Sequence, residues 1–270
     1  MIDLHLHTTA SDGTLSPSEL VSKARAAGLS IFSITDHDTT AGLAEARSAA
    51  ARAGLELIDG IEISAVADGR DVHVLGYFID PGSPPLRAFL DRQREDRLRR
   101  VREMGARLAA LGAPIDIDPI MADAARGRSV GRPQIALALV QQGHVTTRDE
   151  AFDRYLEFGG PAFVPRCGAS PAAVVDTIHE AGGIASLAHP ALMKRDALIA
   201  PLAAAGLDAL EARHSDHDAQ AEAKYRAIAR ELGLLVTGGS DFHGDSGHRI
   251  SKLGLVTLPD EDWAALKSRR

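Results

Sequence analysis

Short apolar runs alternate with longer amphipathic stretches over most of this chain. In residues 1–7, the apolar side chains of Ile2, Leu4 and Leu6 alternate with polar ones, which predicts a strand with one apolar and one polar face. The apolar runs that follow are predicted as further strands. They cover residues 31–35, 57–63, 71–75, 184–188, 207–212, 234–237 and 253–256.

Helices are predicted between these strands, with signals typical of helix ends. Ser16 and Glu19 form the pattern of a capping box around Pro17, and Gly28 follows the end of that helix. Similar signals predict helices at about 17–27, 41–53, 171–181, 195–205 and 218–232. Alternating strands and helices predict an α/β fold built on a parallel sheet.

The strand pattern is interrupted between residues 81 and 161. Apolar residues at helical spacing predict one long helix at about 84–111, and shorter helices are predicted at about 119–126, 132–142 and 147–158. About 80 helical residues within a strand-helix alternation predict an inserted helical subdomain at 81–161. Residues 1–80 and 162–270 would then form the barrel domain.

Composition and charge narrow the classes of function. The 270-residue chain is long enough for one large α/β barrel or for two smaller domains. Its net charge of −7 argues against a general nucleic-acid coat protein, although a local basic patch stays open. The one cysteine, Cys167, excludes an internal disulfide and a thiolate-rich metal site, and we expect a cytoplasmic protein. No apolar run reaches the roughly 20 residues that span a bilayer, so no membrane association is expected.

Histidines and carboxylates recur in or just after the predicted strands. They are His5, His7, His37, Glu62, His73, His189, Asp241 and His243. A parallel barrel gathers the residues at the carboxyl ends of its strands into one site. One histidine at a strand end is usually a structural residue, but eight ligand-type residues in equivalent places predict a shared metal site.

The motifs around these residues resemble those of the PHP (polymerase and histidinol phosphatase) family of metal-dependent phosphoesterases. The matching stretches are His5-Leu-His-Thr-Thr-Ala-Ser-Asp-Gly13, Ile34-Thr-Asp-His-Asp38, Gly60-Ile-Glu-Ile-Ser64, His73-Val-Leu-Gly76, Ala188-His-Pro190 and Gly239-Ser-Asp-Phe-His243. Within the family, the chain is most similar to the 3′,5′-nucleotide bisphosphate phosphatases and the related 5′-3′ exoribonucleases.

The resemblance implies a distorted (β/α)7 barrel with a trinuclear metal site. It implies one ion held by His5, His7, Glu62 and Asp241, a second by Glu62, His73 and His189, and a third by Asp12, His37 and His243. Nitrogen and oxygen ligands without sulfur favour Mn²⁺, with Fe²⁺ or Zn²⁺ as alternatives. Two or three such ions would activate water and clamp the phosphate oxygens, with Glu62 and Asp241 as catalytic ligands.

Four further residues are candidates for substrate contacts. Ser129 and Arg132 precede or open a predicted helix and could form an anion pocket, although a capped helix with a solvated arginine is an equal alternative. In the resembling subgroup this loop contacts substrate phosphate, which favours Arg132. His214 and His217 follow a strand end and could bind phosphate, and His217 could also serve catalysis. The arginine-rich helix at residues 92–107 is interpreted as a solvated face rather than an RNA track.

The function predicted from these observations is hydrolysis of a phosphate monoester on a small nucleotide, such as the 3′-phosphate of a 3′,5′-bisphosphonucleotide. The alternatives are a 5′-3′ exonuclease acting on short 5′-phosphorylated RNA, and a histidinol-phosphate phosphatase. A non-enzymatic PHP module is disfavoured because such modules usually lose ligands and none is missing here. The sequence identifies no protein partner.

Overall fold

The computed structural model describes residues 1–245 and 253–270. Seven strands form one sheet whose spatial order equals the chain order. They are β1 (Ile2–Asp3), β2 (Ile31–Ile34), β3 (Glu56–Ala67), β4 (Arg70–Tyr77), β5 (Ile184–Leu187), β6 (Ala209–His214) and β7 (Leu235–Gly239). The Leu4 amide donates to the Gly238 carbonyl at 3.2 Å, and Leu6 pairs with Phe242, so the sheet nearly closes into a barrel. The predicted fold class is confirmed.

Helices lie around this sheet or in the region between β4 and β5. They are α1 (Pro17–Ala26), α2 (Leu43–Ala53), α3 (Pro84–Ala110), α4 (Asp118–Ala125), α5 (Arg132–Gln141), α6 (Arg148–Ala151), α7 (Pro171–Glu180), α8 (Pro190–Met193), α9 (Ile199–Ala204), α10 (Ala219–Leu232) and α11 (Asp260–Ser268). A π-helical turn, Phe152–Leu156, continues α6, and a 3₁₀ turn, Asp196–Leu198, precedes α9. Within the described ranges, no helix has the length and apolar character needed to cross a membrane.

The fully parallel sheet predicted from the alternation is wrong at β4. Strand β4 pairs antiparallel with both β3 and β5, whereas the other neighbouring strands run parallel. Asp68 and Gly69, at φ 48° and 73°, form the tight turn between β3 and β4. Two consecutive positive φ values are the signature of a hairpin turn, for which Asp-Gly is a preferred sequence. His73 therefore lies within its strand and not at a carboxyl end.

Residues 84–156 contain only helices and turns. Their apolar side chains form a separate buried cluster that includes Val101, Met104, Leu108, Ile135 and Leu139. The bounds of α3, α4 and α5 lie within two residues of the predicted helices. This helical region lies beside the carboxyl rim of the barrel, because the Ser129 amide donates to the Ala10 carbonyl at 2.7 Å.

The strand predicted at 253–256 is wrong, because this segment forms turns. Gly254 has a φ of 77°, a left-handed conformation that interrupts an extended chain. Helix α11 was not predicted. It packs Trp263 and Leu266 against Ile2 and Leu4 and so covers the barrel end opposite the carboxyl rim.

Candidate metal centre

Nine ligand-type side chains converge on the carboxyl rim of the barrel. The segments after β1, β2, β5 and β7 contribute His5, His7, Asp12, His37, His189, Asp241 and His243, while Glu62 and His73 come from within β3 and β4. The alternation of the first strand explains part of this arrangement, because Leu4 and Leu6 are fully buried on the apolar face. The structure brings all nine predicted metal ligands together.

Glu62 lies at the centre of this arrangement and is fully buried. Its Oε2 atom lies 3.1–3.3 Å from three imidazole nitrogens, and its Oε1 atom lies 2.8 Å and 3.0 Å from two others. The three rings near Oε2 belong to His5, His7 and His37, and the two near Oε1 belong to His73 and His189. Each oxygen of one carboxylate thus faces a different set of rings.

Several groups of donor atoms lie close enough to share an ion. In each group, one donor atom per residue lies within 4.8 Å of the others. The groups are His5, His7 and Asp241; His7, Asp12, His37 and His243; His37, Glu62 and His73; and His5, Glu211 and His214. Asp241 Oδ1 is 3.1 Å from His7 Nε2, and Asp12 Oδ1 is 3.2 Å from His243 Nε2.

The contacts between ring nitrogens fit bound cations. The Nε2 atoms of His5 and His7 are 3.1 Å apart, and His73 Nδ1 is 3.4 Å from His189 Nε2. His5 Nδ1 faces Glu211 at 2.9 Å, so in a neutral ring the proton lies on that nitrogen and the Nε2 lone pair points at His7. Two facing lone pairs repel unless a proton or a metal ion lies between them. The buried Nδ1 atoms of His7 and His189 have no hydrogen-bond partner among residues 1–245 and 253–270.

Three residues of the centre have strained backbones. His189, Asp241 and Asp38 have φ values of 27°, 51° and 51°. Residues other than glycine rarely adopt positive φ, and such strain concentrates at functional sites. The backbone here is therefore held in place by the surrounding contacts.

An arginine-lined cavity of about 180 Å³ adjoins these ligands. Its walls include Asp12, His37, His73, Ser129, Arg97, Arg100, Arg132, Arg166, Asp71 and Phe152. Arg132 forms an ion pair with Asp71 at 3.1 Å. Ser129 is buried, and its Oγ atom has no hydrogen-bond partner in the part of the chain that the structure describes. The structure thus places Ser129 and Arg132, the two residues of the predicted anion pocket, beside the metal ligands.

The interpretation of the arginine-rich helix as a solvated face is wrong for two of its residues. Arg97 and Arg100 are only 8% and 2% exposed, because one side of α3 is covered by Asp38 and by the segment around Val164 and Arg166. Arg97 Nε donates to Asp38 at 2.8 Å and Arg100 Nε donates to the Val164 carbonyl at 3.0 Å. Both arginines line the cavity.

The PHP domain family matches residues 3–157 of this sequence. The chain belongs to the PHP family. It is similar to the 3′,5′-nucleoside bisphosphate phosphatase of Chromobacterium violaceum, with 38% identity over 99% of this chain and 97% of the relative. It is also similar to the 5′-3′ exoribonuclease of Haemophilus influenzae, with 40% identity over 91% of this chain and 90% of the relative.

A solved PHP-type structure has the same overall fold. A candidate metal-dependent phosphoesterase from Bifidobacterium adolescentis superposes with a TM-score of 0.89 at 36% identity, covering 99% of this chain and 96% of the other. The family, the relatives and the convergent ligands together make this PHP protein a metal-dependent phosphoesterase, a hydrolase of phosphoric esters.

Glu211 is a buried carboxylate of the PHP site that sequence reasoning missed. One oxygen lies 2.9 Å from His5 Nδ1, and the other accepts the His189 amide at 2.7 Å. A carboxylate bonded to the second nitrogen of a metal-binding imidazole fixes its tautomer and orientation. The available signal was an acidic residue near the end of the predicted strand at 207–212, a run that also holds Asp208.

Asp36 is a second missed carboxylate. It accepts hydrogen bonds from the Thr8 amide at 2.8 Å, from Thr8 Oγ1 at 2.6 Å and from Ser11 Oγ at 2.5 Å. These bonds hold the turn that leads to Asp12. Asp36 therefore positions a candidate ligand without facing the ligand groups itself.

The protonation of the site follows from burial and close charges. Burial opposes the charge on Glu62, but His37, His73 and His5 overcome this and hold its pKa well below the usual range. Burial also opposes the charge on His7, yet hydrogen bonds to Asp241 and Glu62 raise its pKa to about 10. Burial lowers the pKa of His37 to about 3. The protein without metal therefore carries ionised carboxylates, a neutral His37 and a protonated His7.

The two histidines after β6 occupy different positions. His214 is buried, with Nε2 3.3 Å from Asp241 Oδ2 and Nδ1 accepting the Asp216 amide. His217 lies beside His214, with the two ring centres 5.3 Å apart. Its Nδ1 donates to the Ala212 carbonyl at 2.8 Å, and its Nε2 accepts a hydrogen bond from the Ala191 amide at 3.4 Å. His217 does not belong to any ligand group found among the described residues. The substrate and catalytic roles of these histidines stay predictions.

Proposed function

We propose that this protein removes the 3′-phosphate of 3′,5′-bisphosphonucleotides. The observation that carries this proposal is a single cavity bounded by candidate metal ligands on one side and by arginines on the other. A substrate with two phosphates fits these two surfaces, since metal ions and arginine forks both bind phosphate oxygens. The name of the Chromobacterium violaceum relative supports the same substrate class.

The proposed metal ligands form three sets around Glu62. His5, His7, Glu62 and Asp241 would hold one ion, Glu62, His73 and His189 a second, and Asp12, His37 and His243 a third. Mn²⁺ is the proposed metal, with Fe²⁺ or Zn²⁺ as alternatives, because the donors are imidazole and carboxylate without sulfur. Two or three such ions, when bound, supply Lewis-acid activation of water and of the phosphate.

The side chains of the protein have distinct proposed tasks. Glu62 uses both oxygens, so its carboxylate links two sets of ligands at a fixed spacing. Asp241 supports the first set, and Glu211 keeps His5 in the tautomer whose Nε2 is free for metal. Ser129 and Arg132 would bind the second phosphate and orient the nucleotide at the rim.

The alternative is 5′-3′ exonuclease action on short 5′-phosphorylated RNA. The Haemophilus influenzae relative carries that name, and it is as similar to this chain as the phosphatase. A 5′-terminal nucleotide bears its 5′-phosphate in the same relation to its 3′-phosphoryl group as a bisphosphonucleotide does. Histidinol phosphate, the third substrate predicted, has one phosphate and offers no second phosphate to the arginines.

We also propose that residues 81–161 act as an inserted subdomain that carries the substrate pocket to the barrel formed by residues 1–80 and 162–270. The separate apolar cluster of the helical region supports this division. We propose the cytoplasm as the working compartment, since the one cysteine is free and exposed.

Metal analysis and a substrate panel test the proposal. We expect at least two bound transition-metal ions per chain and hydrolysis in added Mn²⁺. The panel compares kcat/KM for a 3′,5′-bisphosphonucleotide, a 5′-phosphorylated oligoribonucleotide and histidinol phosphate, and the first is expected to be highest. Fewer than two ions per chain together with no hydrolysis of any of them would contradict the proposal.

A further inference from the structure

The barrel closes at a seam between the first segment of the chain, which begins with β1, and the last, which begins with β7. Among the backbone hydrogen bonds that cross this seam, the Leu4 amide donates to the Gly238 carbonyl at 3.2 Å and the His7 amide donates to the Phe242 carbonyl at 3.0 Å. These bonds are three residues apart on the first segment and four apart on the last. The last segment therefore holds one extra residue, as in a β-bulge, which interrupts the regular pairing between the two bonds.

Asp3 fills this interruption with its side chain. It is fully buried, and alternation along the first strand places it on the same face as His5. Its Oδ1 atom accepts hydrogen bonds from the Ser240 amide at 2.9 Å and from the His5 amide at 3.3 Å. One carboxylate oxygen thus joins a backbone amide of the first segment to a backbone amide of the last.

Both of these segments carry candidate metal ligands. His5 is itself a ligand, and Ser240 directly precedes Asp241, whose φ of 51° is strained. Asp241 Oδ1 lies 3.4 Å from His5 Nε2 and 3.1 Å from His7 Nε2, so this group of donor atoms spans the seam. The distances between the donors therefore depend on how the two segments are held together.

The two segments approach each other closely beside Asp3. A Cβ atom added to Gly239 would lie 2.4 Å from the His5 amide nitrogen and 2.8 Å from Asp3 Oδ1. Both distances are well inside van der Waals contact, so only glycine fits at this position. The seam thus has a defined spacing at this level, and the Asp3 carboxylate supplies hydrogen bonds that hold it.

We infer that Asp3 is a positioning residue of the metal centre, which keeps His5 and Asp241 at the spacing that lets them share one ion. It acts through the two amides that donate to its oxygen. Asp3 belongs to none of the ligand groups found among residues 1–245 and 253–270. The inference rests on the first ligand set of the proposed function and adds a residue that holds this set together.

The effect of Asp3 should be confined to one ion. The second proposed set, Glu62, His73 and His189, comes from β3, β4 and the segment after β5, so it does not span the seam. Loss of the Asp3 carboxylate should therefore weaken the ion held across the seam and leave the second ion bound as in the wild type.

Mn²⁺ titration of chelator-treated protein against a competing chelator tests the inference. We expect Asp3→Ala to bind one ion per chain about 10- to 100-fold more weakly than the wild type, as is typical when the partner of a ligand is removed. Asp3→Asn keeps an oxygen that can accept both amides, so its affinity should stay within about threefold of the wild type. Ser33→Ala removes a buried hydrogen bond to the Ile58 carbonyl, away from the seam, and should bind every ion as the wild type does.

Thermal unfolding separates positioning from a merely structural role. A structural residue should lower the Tm by a similar amount with and without Mn²⁺, as we expect for Ser33→Ala. Asp3→Ala should also lose part of the increase in Tm that Mn²⁺ produces, because this increase falls as the dissociation constant rises. If Asp3→Ala does not fold, Asp3→Ser can replace it, since its hydroxyl keeps the position polar but ends one bond short of the Oδ1 position.

Wild-type affinity for every ion in Asp3→Ala would overturn the inference, and so would equal losses of affinity in Asp3→Asn and Asp3→Ala. A wild type that binds one ion and hydrolyses no substrate would instead contradict the proposed function, while the variants compared at that ion would still decide the inference. A wild type that binds no ion would overturn both.

Discussion

The metal centre and the arginine cavity share a wall but have opposite charge. In the metal centre, the ionised Glu62, Asp241 and Asp12 attract imidazoles that are close enough to repel one another without a cation between them. In the cavity, four arginines outnumber the three carboxylates that line it or pair with them, which are Asp12, Asp38 and Asp71. The first region thus suits cations, and the second suits an anion.

Under the proposed function, this difference in charge would select the substrate. A metal centre alone would accept many phosphoesters, since ions recognise the phosphate and little else. The arginines add a second requirement at a fixed position.

The largest loss of activity is expected from Glu62→Gln, which alters the metal centre. The substitution removes a charge that five imidazoles face, and it should abolish hydrolysis of every substrate while the circular dichroism spectrum stays that of the wild type. Glu56→Gln, at an exposed position of the same strand, is the matched control. Retention of more than about a tenth of wild-type kcat, a loss below about 1.4 kcal/mol, would refute the bridging role.

Arg132→Ala disrupts the arginine cavity, and its effect should differ between substrates with one and with two phosphates. A bound arginine-phosphate pair typically contributes about 2–5 kcal/mol, so kcat/KM for a bisphosphonucleotide should fall by about 30-fold or more. An aryl phosphate without a second phosphate should lose far less. Arg126→Ala, which is well exposed nearby, serves as the control. Equal losses on both substrates would mean that Arg132 contacts the phosphate that reacts.

The two regions also differ in how well the sequence predicts them. The candidate metal ligands lie in or just after apolar strands, and such strands bring distant residues together, so the convergence of these side chains could be predicted from the sequence. His73 was found although its strand runs antiparallel, because alternation along a strand fixes the face of a side chain whichever way the strand runs.

The arginine cavity could not be predicted in the same way. Arg97 and Arg100 belong to a helix rich in charge, and nothing in that pattern shows that the segment near Arg166 covers one side of it. Burial depends on contacts between residues far apart in the chain, which periodicity does not encode. The same limit applies to Glu211, whose partner His5 lies 206 positions away.

Glu211→Gln should weaken metal binding at the metal centre, with an effect of intermediate size. The amide oxygen at this position can still accept a hydrogen bond from His5 Nδ1–H, but the variant loses the negative charge beside the ring. Loss of such a partner typically weakens metal binding about 10- to 100-fold. Competition with a fluorescent chelator measures this change directly, and Glu231→Gln, an exposed position on the following helix, is the control. Unaltered metal affinity would exclude a positioning role for Glu211.

The smallest effect concerns the proton on His7. Hydrogen bonds to Asp241 and Glu62, acting against burial, raise the pKa of His7 to about 10 in the absence of metal, so the ring is protonated at neutral pH. A metal ion needs the neutral ring and must displace that proton. Because the proton and the metal compete for the same nitrogen, metal affinity should fall as the pH falls from 8 to 6. One displaced proton gives a change of at most about tenfold per pH unit.

The same proton gives the metal-free protein the opposite pH dependence. A pKa raised above the ordinary value of 6.5 contributes stability that is fully present below about pH 6.5 and is lost as the pH rises towards 10. The Tm of chelator-treated protein should therefore decline between pH 7 and 9, and metal should offset more of that decline at the higher pH. A Tm that rises over this range without metal would mean that His7 is already neutral when the metal arrives. The fold alone would then keep the His5 and His7 rings at their close distance. The metal centre would not need a cation between them, and its contrast with the arginine cavity would fail.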